Sequence, residues 1–428
     1  MNRLSKNFVA LVICAVVGVG MVSAQQSQQT AIAKITNAIE HIDQLFESQC
    51  PIAEAQVDAL QYDISQNLAD IEAWSNARRD VKKAETGLDL TGGYDRKFGS
   101  GTDDPFDEYY SYANRLGLAL TWNILNSGFV GSKKFNERVD LQSSWKELNE
   151  NNYRTIAMIN DASELQSQII DAHYNKLYGV KIGLYSDLIE FQDYLQQTGN
   201  STIFDKAEFE LKLAICKASI KPCEVSVDNI FDIESYIALQ TQFSSDEIES
   251  LVQNNHIINE ASLEGKLIDN EASSINYWND ARIAPYAKVQ HYSASNFSSE
   301  LRTVGHVGVA VTMPLSSEAK RKRREAEARL SLHNNLAEQQ SVAIKGELEI
   351  ITRELNSNLQ LLNISAEVVE IHKAKIQTAK QMYASKQLSI QNIAMQYLTL
   401  LDSQINVLDL IAAREALKTR LLLLNNRN

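Results

Sequence analysis

Two stretches of the chain, Leu116-Gly-Leu-Ala-Leu-Thr-Trp122 and Val307-Gly-Val-Ala-Val-Thr-Met313, carry the same alternation of large apolar residues with small or hydroxylated ones. A second pair, Trp74-Ser-Asn-Ala-Arg78 and Trp278-Asn-Asp-Ala-Arg282, precedes them in the same order. The chain is therefore an internal duplication. Period-two alternation makes a strand with two unlike faces. Leu116, Leu118, Leu120 and Trp122 share one face in the first copy, and Val307, Val309, Val311 and Met313 share it in the second. Gly117, Ala119, Thr121 and Asn123, with Gly308, Ala310 and Thr312, occupy the other. Lipid on one side and water on the other would require this partition. A soluble, half-buried hairpin gives the same pattern, because period two does not report what covers the apolar face.

Long helical stretches follow each strand. The five prolines stand at 51, 105, 222, 285 and 314, so none interrupts 130–197 or 317–428. Two rods of roughly 68 residues are expected, over 130–197 and 318–385, each about 100 Å long at about 1.5 Å per residue. Each reaches a polar tip, at 198–202 and 386–389, and returns through a second helix, over 203–221 and 390–425. Helical spacing also covers 30–83, broken at Cys50-Pro51 and resuming through Val57, Leu60, Ile64, Leu68 and Ile71. Its counterpart is a helix over 245–280 with a polar break at Asn254-Asn255. Strands are expected at 86–98, 116–124, 285–293 and 305–314, Pro285 opening the third. The two repeats span 25–225 and 226–428.

Residues 1–24 read as an export signal, with Arg3 and Lys6 ahead of an apolar run from Phe8 to Val22 and cleavage after Ala24. That run is shorter than the about 20 residues a bilayer-spanning helix needs. No other stretch is apolar enough to cross as a helix, so a membrane crossing would have to use strands. The net charge of -13 argues against a general affinity for nucleic acid or anionic lipid. After cleavage three cysteines remain, in an oxidising compartment. Cys216 and Cys223, close in sequence around Pro222, are expected to form a structural disulfide, and the odd Cys50 leaves another pairing open. No CxxC, GxSxG, HExxH or glycine-rich phosphate loop occurs, so neither an enzyme nor a metal or cofactor site is expected. The basic run Lys320-Arg-Lys-Arg-Arg324 reads first as a solvated helix face, with lipid phosphate as its functional alternative.

Strand, loop, strand, rod, tip and return helix, found twice behind an export signal, resemble the TolC-like outer-membrane efflux proteins over essentially the whole exported chain. The junctions Leu118-Ala-Leu-Thr-Trp-Asn-Ile124 and Val309-Ala-Val-Thr-Met-Pro-Leu315 are similar to that family's alternation ending in a proline and a bulky residue. Cys50-Pro51 stands where the family has Asn-Pro, and Gly199 to Ala207 is similar to its glycine-opened tip. Tyr383 matches a family tyrosine. Three positions depart from the pattern: Lys386 replaces a usual glycine, Asn123 replaces a proline, and Gln391, Asn392 and Gln396 stand where acidic residues often narrow the periplasmic entrance.

The resemblance implies a mainly α protein with a membrane β-barrel part, a duplicated unit of two strands and a long helical hairpin. Three copies would share a twelve-stranded barrel on an α-helical tunnel. It implies a homotrimer in outer-membrane lipid, extending into the periplasm, that serves as the exit duct of a tripartite efflux or type I secretion system for small molecules or proteins. A periplasmic adaptor (membrane fusion protein) would dock on the tips Gly199, Asn200, Ser201, Thr202 and Lys386, Gln387, Leu388, Ser389, and link the duct to an inner-membrane transporter. Asp205, Gln391, Asn392 and Gln396 would form the periplasmic gate, and the apolar strand residues above would face lipid. The competing reading is an exported coiled-coil scaffold or adhesin stalk without a channel.

Overall fold

The computed structural model describes residues 29–96, 112–124, 132–197, 199, 203–275, 282–294, 302–312 and 318–425. The expected export signal, Asn200, Ser201, Thr202, Trp278 and Met313 lie outside them. The first repeat holds α1 (residues 29–47), a short 3-10 turn (Ala59–Tyr62), α2 (Ser65–Ala84), β1 (Leu88–Arg96), β2 (Tyr112–Trp122), α3 (Ser132–Gln197) and α4 (Ile203–Ala218). The second holds α5 (Ile233–Ala238), α6 (Ser245–Gln253), α7 (His256–Ser274), β3 (Arg282–Ala294), β4 (Arg302–Thr312), α8 (Glu318–Ala384) and α9 (Ile390–Asn425).

The chain forms two compact units that cut across the repeats, because α3 and α8 each contribute to both. One takes its described residues from Met1–Ala59, Ile156–Ser250 and Gly346–Asn428; the other takes its own from Leu60–Thr155 and Leu251–Lys345. The core of the first is helical. Ile35, Ile39 and Ile42 of α1 recur at helical spacing and are buried with Leu177, Leu184 and Leu188 of α3, Leu362 and Val369 of α8, and Leu401, Leu408 and Ile411 of α9. Polar ties cross this core. Tyr174 of α3 donates to Asp409, Tyr236 of α5 to Glu415 and Tyr397 of α9 to Asp43, each at 2.5 Å. Burial, reinforced by the neighbouring carboxylate, pushes all three phenols well above the ordinary tyrosine range. Arg414 is fully buried, and its guanidinium donates to Leu355 O at 2.6 Å, Gln240 Oε1 at 2.8 Å and Thr241 O at 3.3 Å. The connection after α5 is held by that fork.

The structure departs from several local expectations. Residues 57–64 are not α-helical: the chain is extended after Cys50, passes through the 3-10 turn and enters α2 only at Ser65. Cys50 pairs by backbone with the segment before α5, its N–H donating to Ile230 O and its carbonyl accepting from Asp232 N–H, and Ala55 N–H donates to Gln166 Oε1. These bonds replace the helical ladder. The α4 helix stops at Ala218 rather than 221, since Lys221 and Asn175 exchange two hydrogen bonds at 2.8 Å that hold the chain straight. The Cys216–Cys223 disulfide is not formed, and all three described cysteines are free. Cys216 turns into the helical core, while the Cys223 thiol donates to Gln168 O at 3.1 Å.

The second unit contains a four-stranded antiparallel sheet in the order β1-β2-β3-β4. The second strand begins at Tyr112, earlier than its alternation begins, and the third begins at Arg282, so Pro285 lies within it. The β2–β3 pairing ends at Thr121↔Tyr286, so the missing proline N–H falls where that ladder has run out.

Candidate membrane face and helix tips

Strand register decides which side chains share a face. Leu88, Leu90 and Tyr94 of β1 stand opposite Trp122, Leu120 and Leu116 of β2. Leu118 and Leu120 stand opposite Val289 and Ala287 of β3, and Ala287, Pro285 and Ile283 stand opposite Val307, Val309 and Val311 of β4. The apolar residues of all four strands therefore form one continuous face. It is open: exposure runs from 40% at Trp122 to 89% at Val307, with Leu116, Leu118, Leu120, Val309 and Val311 between. Leu88, Leu90, Tyr94 and Val289 extend the predicted set. In β1 the signal was the same alternation; in β3 a lone valine among polar residues gave almost none.

The opposite face carries Asp89, Thr91 and Asp95 of β1, Arg115, Ala119 and Thr121 of β2, Lys288 and Gln290 of β3, and His306 and Gly308 of β4. Register partners Asp95 and Arg115 form an ion pair there, with Nε to Oδ2 at 2.8 Å. Gln290 is buried, its Cγ lying over Gly117. Among the described residues β1 and β4 each have a strand on one side only. An open apolar face of this breadth is rare on a soluble monomer, and two unpaired edges are a second unmet demand.

The end of the second rod is built by a specific stop signal. Lys386 adopts φ +62°, its N–H donates to Tyr383 O and the N–H of Gln387 reaches Met382 O, both at 2.8 Å. This is a Schellman closure, which glycine fits best because the left-handed backbone crowds a Cβ. Ser389 then caps α9, its carbonyl and hydroxyl accepting from Asn392 N–H. In the first tip Gly199 has φ +74° and closes α3 by donating to Gln196 O. Asn392 and Gln396 line a groove of about 680 Å³ with Thr378, Met382, Leu388 and Met395. Asp205, in the first turn of α4, and Gln391 are not among its walls.

A second apolar stripe lies on α8. Leu361, Ile364, Val368 and Ile371, spaced by three, four and three residues, are exposed, whereas Leu355, Leu359, Leu362 and Val369 face the core. One helix thus presents two seams, and among the described residues only one is covered by its own chain.

No protein-family model matches the chain, and no curated protein matches its sequence. Solved structures do match it. CusC, whose structures concern folding and transmembrane channel formation, aligns over 93% of this chain and 91% of its own at 12% identity, with a TM-score of 0.59. The outer membrane protein VceC of Vibrio cholerae aligns over 85% and 93% at 13% identity and 0.55, and the CmeC outer membrane channel of Campylobacter jejuni over 85% and 84% at 10% and 0.55. The chain has the fold of TolC-like outer-membrane channels. The small antiparallel sheet in a mostly helical chain belongs to that fold. Among the described residues no helix is long and apolar enough to cross a membrane, and no three His, Cys, Asp or Glu side chains gather to hold a metal ion.

One buried titratable group went unnoticed in the sequence. His173 of α3 is 2% exposed, meets Phe231 edge-on at 5.7 Å between ring centres, and has no partner for Nδ1 among the described residues. Burial pulls its pKa down to about 4. Helical spacing marks position 173 as inward-facing, but not the lack of a partner there.

Proposed function

We propose that this protein is an outer-membrane exit duct, the outer component of a tripartite efflux or secretion system that passes small molecules or proteins from the periplasm or an inner-membrane pump to the outside. The sheet carries this reading: a continuous apolar face open to its surroundings, a polar face behind it, and two edges with no partner strand among the described residues. In hydrocarbon every backbone N–H and C=O needs a partner, so four strands with free edges cannot stand in a bilayer alone. Pairing β4 of one copy with β1 of the next is a head-to-tail contact that closes into a ring. Three copies give twelve strands, the apolar face meeting lipid and the polar face lining a wet lumen. The uncovered stripe on α8 supports the same assembly, since it needs a helix from another copy.

In this reading the tips point into the periplasm. Gly199, Asn200, Ser201, Thr202 and Ser389 are small enough for the backbone of an adaptor hairpin to come close, with Lys386, Gln387 and Leu388 completing the second tip. Asn392 and Gln396 narrow the entrance, with Asp205 and Gln391 beside it. Energy comes from the inner-membrane transporter through the adaptor, so the duct needs neither a catalytic residue nor a cofactor.

Cell fractionation followed by native electrophoresis tests the proposal. A trimer extracted by detergent from the outer-membrane fraction is expected. A soluble periplasmic monomer would overturn the duct and leave the coiled-coil stalk.

A further inference from the structure

The apolar sheet face has a boundary, and cations gather along it. Only three residues separate α2 from β1, and the Trp122 indole at the end of β2 donates to Thr86 O at 3.0 Å, so the apolar face stops beside the end of α2. Ends of other helices pack together in the same unit. Arg79 of α2 pairs with Asp140 of α3, and Arg78 and Lys82 each lie 5.8 Å from the centre of the Phe135 ring. Asn270 of α7 donates to Lys134 O at 3.3 Å, and Glu271 pairs with Arg329 of α8 at 3.5 Å. Basic residues outnumber acidic ones at these helix ends, although the whole chain carries -13.

The run that opens α8 differs from the rest. Lys322 and Arg323 are paired within the helix to Glu318 and Glu327. Lys320, Arg321 and Arg324 are exposed and have no ion-pair partner among the described residues. Arg324 follows Lys320 by four residues and Arg321 by three, so it shares one side of the helix with both and repels them. Lys320 and Arg321 also sit in its first turn, where the helix dipole disfavours positive charge. Three cations with no ion-pair partner among the described residues, on a helix that only five residues separate from β4, match the chemistry of a bilayer rim, where anionic phosphates border hydrocarbon.

We propose that Lys320, Arg321 and Arg324 dock the anionic phospholipid headgroups of the leaflet that borders the periplasm. The proposal rests on the bilayer reading of the sheet. Each cation near an anionic surface raises association roughly fivefold, and salt screens the effect.

The full-length protein, reconstituted in phosphatidylcholine bilayers with a trace of spin-labelled phosphatidylglycerol or spin-labelled phosphatidylcholine, tests this by the share of label immobilised at its surface. Phosphatidylglycerol should be held in several-fold preference, less so at high salt. The triple variant Lys320→Ser/Arg321→Ser/Arg324→Ser should lose most of the preference, while Lys345→Ser, further along the same helix, should retain it. Equal immobilisation of both lipids by the unmodified protein, or a preference that survives the triple variant, overturns the docking surface and leaves the duct standing. Immobilisation of neither lipid means that the sheet does not meet a bilayer, and both proposals fall.

Discussion

Tyr286 lies across its register partner Gly308, so closely that a β-carbon at 308 would sit 2.8 Å from the tyrosine hydroxyl oxygen and 2.9 Å from Cζ. Both residues are on the polar face of the β3–β4 pair, where the ring occupies the space that a side chain on β4 would take. A Gly308→Ala substitution should therefore force the ring aside and destabilise the assembled protein by about 1–2 kcal/mol. The loss should shrink when Tyr286→Ser is added. A double-mutant cycle of thermal unfolding measures this coupling, and simple additivity would show that the ring can move at no cost.

The tip of the second rod offers the opposite kind of substitution. Lys386 holds a left-handed backbone that costs a non-glycine residue about 1 kcal/mol or more, part of which glycine returns through its freer unfolded chain. Lys386→Gly should raise the unfolding midpoint modestly, by up to about 1 kcal/mol in stability. Lys386→Val should lower it, since a β-branched residue fits that conformation worst. A midpoint that fell with glycine would mean that the lysine side chain contributes more than its backbone strain removes.

Much of this architecture was legible because it rests on long periodic patterns. Alternation from Leu116 to Trp122 and from Val307 to Val311 needs no tertiary information to assign its faces, and two proline-free rods declare themselves over dozens of residues. What escaped is set by contacts between segments distant in the chain. Nothing local to Val57 says that Cys50 pairs with Ile230 and Asp232, and α5 is six residues long, too short for periodicity, with Asp232 as its cap. Arg414 reads as a surface cation on a helix, yet its acceptors at Gln240, Thr241 and Leu355 bury it. Cys216 and Cys223 are near in sequence, but a helix face directs one sulfur into the core and a backbone carbonyl engages the other.

Acid should weaken the helical unit through His173. Its pKa is about 4 in the folded chain against an ordinary 6.5, so between those values the unfolded chain takes up a proton that the folded one refuses. Stability is then full above pH 6.5 and falls as the pH drops towards 4, by roughly 3 kcal/mol at most. His173→Phe keeps an aromatic edge against Phe231 and removes the titration. Its melting temperature should fall less between pH 6.5 and pH 4 than that of the unmodified protein; parallel curves would remove His173 from the acid response.

Asn392 is exposed at the start of α9 and forms part of the groove wall with Gln396. If that wall faces the lumen in the trimer, Asn392→Asp places three carboxylates around one axis, where they attract multivalent cations. Single-channel recordings should then show stronger block by hexamminecobalt than in the unmodified protein. An unchanged block would take residue 392 out of the constriction.

The two seams of α8 predict where the assembly is vulnerable. Leu355, Leu362 and Val369 are already buried against α9 and its neighbours, so charges there would unfold the chain and say nothing about association. Ile364 and Ile371 are 57% and 53% exposed, and a charge at either costs the isolated chain little. Burying an isoleucine side chain contributes about 1.5–3 kcal/mol, and a ring of three would lose that at every interface. Ile364→Asp/Ile371→Asp should therefore shift the protein from trimer to monomer in native electrophoresis while its circular dichroism stays helical. Gln377→Asp, exposed on another side of the same helix, should leave the trimer intact. A trimer that survives the double substitution would mean that the stripe faces solvent and that the strand edges hold the ring together without it.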